Sequence, residues 1–328
     1  MYMPKLHQQN ELKSYLDKQE KHAWDIQRDF NWEKEIDLTK EFVPLPEDFI
    51  LNPFLNPSQK ILVSQLIGLM INSTVCELEG ALERSKKQCW VEIINKYPVS
   101  PEFEELGENF FVEEKKHSLA FDYFLEKFAK QTNVTVDELK SILPILNQSK
   151  IEKLFRINSY LGGKAMWMVV AAVEEESIEV FKQMRPHKSN IDYLYYQLHQ
   201  RHFEEETRHA SFAFLMLELL EKRTALPIKI LSRQIDFMMS EVLQVSWILG
   251  ELMKVVNLEK LKDRHSFYQG LYELIPIIKK FTITDVLKSL FNDAPFISLI
   301  LRPGLNKHLS KYLNENKSRR FLDKVLVG

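Results

Sequence analysis

Apolar residues return every three to four positions along most of this chain. From Ser58 to about Lys86, the stripe Leu62, Leu66, Leu69, Ser73, Cys76 and Glu79 keeps helical spacing. A second helical pattern runs from Pro101 or Gly107 to Gln131. Thr135, with Glu138 three residues on, makes a capping box and predicts a short helix. A third long helix is predicted from about Ser149 to Met184, with Gly162-Gly163 near its start and Pro186 beyond its end. A fourth spans about Ser189 to Leu226, with Ser189 or Asn190 as its cap and Pro227 after it. Amphipathic patterns follow at about 227–257, 258–280, 282–292 and 305–325. No stretch alternates with the period of two that a half-buried strand needs.

The pattern predicts an all-α chain with four long helices in the middle and extra helices at both ends. Residues 1–59 read as a polar arm, a helix and a wrapping segment that carries four prolines at 36–59. Residues 60–226 hold the four helices. Residues 227–328 are expected to pack on them within one structural domain. The segment at 227–257 is apolar on more than one face, so it is either buried internally or forms a homodimer interface.

Composition narrows the chemistry. Only 9 of 328 residues are glycine, and none of their spacings fits G-x-G-x-x-G or a P-loop. No nucleotide-cradling loop is therefore expected. A net charge of −2 gives no electrostatic reason to bind nucleic acid or an anionic membrane. Two cysteines make no disulfide framework, which suits a reducing cytoplasm. The N-terminal residues lack the apolar core of a signal peptide, and no membrane span is expected.

Candidate chemistry lies on the four long helices. The second carries Glu114 and His117, the fourth Glu206 and His209, each as Glu-x-x-His. Residues three apart on a helix share a face, so each pair can offer an oxygen and a nitrogen to one point. Each of the other two helices has a triplet of carboxylates in an apolar stretch. On the first, Glu79 faces the core best, with Glu77 and Glu83 as alternatives. On the third, Glu175 has the small neighbours Ala171 and Ala172, with Glu174 as the alternative. Val112, Phe121 and Phe124 flank the first Glu-x-x-His; Phe203, Phe212, Phe214 and Leu215 flank the second. Glu113 and Glu205 stand four residues before a histidine and are alternates or outer partners. Two carboxylate helices plus two Glu-x-x-His helices is the donor set of ferritin-like di-metal bundles. Four carboxylates neutralise two divalent ions, and imidazoles complete sites with open positions. His202 lies on the stripe of Glu206 and His209, either as a seventh ligand or as a core histidine. His199, one turn earlier, is an outer partner at best.

The order Glu, Glu-x-x-His, Glu, His-x-x-x-Glu-x-x-His over about residues 60–220 resembles the p-aminobenzoate N-oxygenase family of di-iron enzymes. On that resemblance Glu79, Glu114, His117, Glu175, His202, Glu206 and His209 hold two iron ions; manganese or a mixed pair would use the same donors. The resemblance implies an O2-activating monooxygenase acting through a peroxo-di-iron species on a small organic substrate, an aryl amine, to give hydroxylamine and nitro products. Electrons would come from an external donor. The competing readings are a carbon-directed di-iron hydroxylase or desaturase and a non-enzymatic iron-binding protein. Roughly 100 residues after the fourth helix would obstruct a ferritin cage.

Overall fold

The structure, a computed structural model, describes residues 6–143, 149, 151–153, 155–156, 163–223 and 255–281. Among the described residues the regular structure is helical, and an isolated bridge between Glu41 and Ile191 is the only β feature. The helices are α1 (Leu6–His22), α2 (Pro57–Arg84), α3 (Glu92–Lys96), α4 (Pro101–Gln131), α5 (Val136–Ile142), α6 (Lys164–Met184), α7 (Tyr193–Arg223), α8 (Val255–Leu261) and α9 (Ser266–Ile278). The all-α expectation holds. The patterns predicted at 282–292 and 305–325, and nearly all of 227–257, lie outside the described residues.

Helix starts follow from their caps. Asn56 accepts from the backbone of Gln59, whose side chain accepts in return, and Pro57 opens α2. At α4 the Ser100 side chain accepts from the Phe103 amide and Pro101 opens the helix, without the return bond. Thr135 and Glu138 form the expected capping box of α5. Two starts differ from expectation. α6 begins at Lys164, because Gly163 takes a left-handed backbone with φ of 78° and ends any helix that reaches it. α7 begins at Tyr193, with Asp192 accepting from the Tyr195 amide at 2.8 Å. Asn190 and Ile191 are occupied by the extended segment instead: the Glu41 amide donates to Asn190 at 3.1 Å.

The proline-rich segment is part of the core rather than a loose wrap. Phe42, Val43, Phe49, Leu51 and Leu55 are buried. Ser64 of α2 accepts from the amides of Phe42 and Val43 at 3.0 and 3.1 Å, and donates to the Val43 carbonyl at 2.6 Å.

α2 packs along α4, and α6 along α7; α4 also touches α7. The apolar residues fall into two large clusters. One gathers Val63–Cys76 positions of α2, Ala120–Ala129 of α4, Phe181 and Met184 of α6, Ile191, and Leu194–Leu198 of α7. The other gathers Leu82 of α2, Phe103–Phe111 of α4, Met166–Ala171 of α6 and Phe212–Leu220 of α7. Thus α2 and α7 run from the first cluster to the second, and α4 and α6 run back. Where each helix crosses between clusters, it carries its acidic or imidazole residues. α2 is long and apolar enough to cross a membrane, which sequence inspection did not anticipate. Yet 56% of its most apolar window is buried within the fold, and it carries Glu79 into the interior.

Candidate metal centre

The layer between the two apolar clusters is a knot of buried carboxylates and imidazoles. Glu79, Glu114, His117, Glu174, His202, Glu205, Glu206 and His209 are each at most 2% exposed. Their donor atoms fall into overlapping groups. Glu79, His117, His202 and Glu206 bring ligand atoms within 4.8 Å of one another, and so do Glu114, Glu174, Glu206 and His209. Glu114, His117 and His209 form a third such group. Atoms bound to one ion at bonds of about 2.0–2.3 Å lie no more than roughly 4.5 Å apart. Each group could therefore hold a metal ion after small side-chain adjustments.

Glu206 joins the two larger groups through different oxygens. Its Oε1 is 2.7 Å from His202 Nε2 and 3.1 Å from His117 Nδ1; its Oε2 is 3.4 Å from His209 Nδ1. Glu114 Oε1 lies 2.8 Å from His209 Nδ1. Glu79 Oε1 lies 2.9 Å from His202 Nε2. Both oxygens of Glu114 and of Glu206, and Nδ1 of His117 and His209, are buried without a hydrogen bond of good geometry. Such atoms are costly to bury unless something else satisfies them. A metal ion is the partner that suits convergent carboxylates and imidazole nitrogens alike.

The far nitrogens of the two Glu-x-x-His histidines are held crosswise. His117 Nε2 lies 2.7 Å from Glu205, and His209 Nε2 lies 2.9 Å from Glu113. Each glutamate immediately precedes the Glu-x-x-His of the opposite helix, so the doubled motif is Glu-Glu-x-x-His on both. A carboxylate on Nε2 fixes the proton there and leaves Nδ1 free to bind a metal. Lys116 reaches Glu205 at 2.7 Å, Arg208 reaches Glu113 at 3.1 Å, and Gln19 donates to Glu113 at 3.1 Å.

No family model, curated protein or solved structure matches this chain.

The electrostatics fit a site built for positive charge. Burial raises the Glu79 carboxyl to about 7, against the pull of His202. Burial and the charges of Glu206 and Glu114 hold Glu174 well above the usual carboxylate range. Burial alone would lower His202, but Glu206 and Glu79 lift it to about 10. Burial would likewise raise Glu113, yet the His209 hydrogen bond, with Arg208 and Lys116 near, holds it at about 2. Without metal, protons take the place of cations among these carboxylates.

Six of the seven residues expected from sequence come together here: Glu79, Glu114, His117, His202, Glu206 and His209. The third helix contributes Glu174 instead of Glu175, whose carboxylate oxygens are also buried but which belongs to none of the groups. Glu77 is drawn away by Lys140 at 3.3 Å. His199 bonds Asn72 at 2.9 Å, one turn from the site. Val112 does not flank the centre; it is 64% exposed. Phe121 and Phe110 do line it, 4.9 Å from His202 and 4.7 Å from His209 between ring centres. Sequence inspection passed over Trp24, Lys116 and Arg208. A charge beside each Glu-Glu-x-x-His was the one available hint for the last two.

Proposed function

We propose that α2, α4, α6 and α7 form a ferritin-like four-helix bundle around a pair of iron ions. On this reading the chain is a monooxygenase of the p-aminobenzoate N-oxygenase type, oxidising an aryl amine to hydroxylamine and nitro products. The observation that carries it is Glu206, which turns one oxygen to each of two donor groups that have their own imidazoles. Helix direction supports the bundle: α4 and α6 run the same way, as expected when one long crossover joins the two halves. Charge supports the pair. Glu79, Glu113, Glu114, Glu174, Glu205 and Glu206 are buried, and Lys116 and Arg208 offset two of them. Within this set of six, the glutamates of the donor groups and those bonded to their histidines, four negative charges remain, which two divalent cations match.

Iron held there would supply the binding and reduction of O2. The chain's residues do the rest. Glu114 and Glu206 reach both sides. His117 and His209 each present Nδ1 to one side, oriented by Glu205 and Glu113. His202 gives the Glu79 side a second imidazole, so the two sides are unequal. Phe110, Phe121 and Trp24 keep water from the imidazoles.

Metal analysis of the full chain after ferrous loading, followed by oxygen uptake with p-aminobenzoate and mass analysis of the product, tests this. Two irons per chain and amine-dependent oxygen uptake are expected. Iron uptake without substrate-dependent oxygen consumption would favour the iron-binding reading. A chain that takes up neither iron nor manganese removes the proposal.

A further inference from the structure

One string of aromatic contacts links the centre to the surface. The Trp24 indole lies parallel to the His117 imidazole, with ring centres 5.7 Å and planes 12° apart. Phe30 meets Trp24 edge-on at 5.4 Å and stacks on Trp32 at 5.2 Å. Trp32 lies 5.6 Å from Tyr123. Trp24 and Phe30 are buried, Trp32 is half-buried, and Tyr123 is 41% exposed. The other rings near the centre lead inward. From His209, Phe110 leads to Trp167; from His202, Phe121 and His199 lead to Tyr195. Trp167 and Tyr195 are fully buried. Among the described residues, only the Trp24 string combines oxidisable rings with an exposed end.

We propose that Tyr123, Trp32 and Trp24 form a one-electron path from the surface to the metal pair, delivering through His117. This rests on the di-iron reading above. The local chemistry gives the path a direction. Lys116 Nζ sits 4.1 Å over the Trp24 ring. A cation there stabilises the neutral ring and opposes a positive charge on it. An electron lost from Trp24 to O2-oxidised iron is therefore promptly replaced from Trp32, with Phe30 as the unoxidised bridge. Trp24 Nε1 is buried with no hydrogen-bond partner, so its proton stays in place. Trp32 Nε1 donates to the Ile26 carbonyl at 2.6 Å, which is too weak a base to take the proton. Tyr123 then refills Trp32. Its hydroxyl, at the surface and accepting from Gln27 at 3.3 Å, releases its proton to water and leaves a neutral tyrosyl radical. An external one-electron reductant such as ascorbate, with a proton from water, restores tyrosine. One electron has then moved from the reductant to the oxidised iron.

The test uses full-length protein loaded with ferrous iron under anaerobic conditions, with iron content and oxidation rate measured first. It is then mixed with O2 in the absence of substrate and donor, freeze-quenched for electron paramagnetic resonance, and mapped for oxidised residues by peptide mass spectrometry. A tyrosyl signal and oxidation products at Tyr123 and Trp32 are expected. Tyr123→Phe should lose the tyrosyl signal and leave an indole radical. Trp32→Phe should lose both the tyrosyl signal and the Tyr123 products. Iron content and oxidation rate should match the parent in both variants, which alter surface or half-buried rings. Radicals and products that are unchanged in both variants, or confined to other rings, overturn the path while leaving the iron centre standing. A chain that binds no iron in the first step overturns the centre and the path together.

Discussion

The choice between Glu174 and Glu175 shows what one residue of helix rotation does. Neighbouring side chains on a helix point about 100° apart, so consecutive carboxylates of a run turn towards different neighbours even where each is buried. Glu174 stands seven residues from both Trp167 and Phe181, two buried rings. Glu175 stands seven from Met168, which is buried, and from Lys182, which is exposed. That heptad comparison, rather than the small neighbours Ala171 and Ala172, was the legible signal. Glu174→Ala is accordingly expected to lower the bound metal per chain, and Glu175→Ala to leave it unchanged, by metal analysis after desalting. Equal loss in both variants would mean that α6 turns differently when loaded. The crossed glutamates are equally specific. Glu205→Gln keeps an acceptor beside His117 Nε2 but removes the charge that makes the imidazole a strong donor. Metal affinity should fall roughly 10- to 100-fold, as for other such partners, in competition with a chelator. An unchanged affinity would make Glu205 a packing residue only. The motif spacing exposed Glu114, His117, Glu206 and His209 at once, because three and four residues are one turn. It could not show that Glu113 and Glu205 cross over, since that depends on how α4 and α7 lie against each other.

Between elements, the docking of residues 38–43 on α2 is the contact least visible in the sequence. Four prolines announced an extended segment, but its partners are Ser64 and Gln65, two polar residues between Leu62 and Leu66 that no apolar pattern marks. Gln65 donates to the carbonyls of Leu38 and Lys40 at 2.9 and 2.8 Å. Ser64→Ala strips the Phe42 and Val43 amides of their acceptor in a buried place. Each buried unsatisfied group costs about 1–3 kcal/mol, so a loss of at least that size is expected in denaturant unfolding. A variant as stable as the parent would show that water can replace the hydroxyl. Gly107 poses the opposite constraint, since a Cβ there would overlap the Trp90 ring. Gly107→Ala should destabilise by about 1–3 kcal/mol through overpacking, read as a lower melting temperature. The cap of α5 was readable because it is written locally, in Thr135 and Glu138, whereas Asn56 and Ser100 carry the same kind of local signal and were passed over. The starts of α6 and α7 were not readable. Gly163 breaks a periodicity that looked continuous, and of the residues expected to cap α7, Asn190 is engaged by Glu41 and Ser189 by Lys40.

Over the whole molecule, the acidic layer between two apolar clusters would couple metal binding to proton release. Composition and periodicity made the helices and the apolar clusters legible, but the sign of the interior needed the helices assembled. In the metal-free chain, His202 with a value of about 10 is protonated at neutral pH, and Glu79 at about 7 is partly so. Burial and the charges of Glu206 and Glu114 push Glu174 in the same direction, towards holding its proton. A metal ion needs the His202 Nε2 lone pair and the ionised carboxylates, so binding must expel those protons. The sign follows directly. Below the His202 value, raising the pH removes a competitor, and the apparent metal affinity climbs until that group titrates by itself. Each proton released at a given pH steepens the dependence by tenfold per pH unit, the equivalent of about 1.4 kcal/mol. Calorimetric titration with ferrous or manganous ion in two buffers of different ionisation enthalpy reads the released protons. At neutral pH, release of more than one proton per chain is expected. Zero release with pH-independent affinity would mean that His202, Glu79 and Glu174 are not displaced by metal, and that binding, if any, occurs elsewhere. The same titration followed by melting should show the loaded chain more stable, by about 2.7 kcal/mol at a hundredfold excess over the dissociation constant. Any ion held there would bind a pocket that only the folded chain assembles, from helices whose acidic residues run from Glu79 to Glu206.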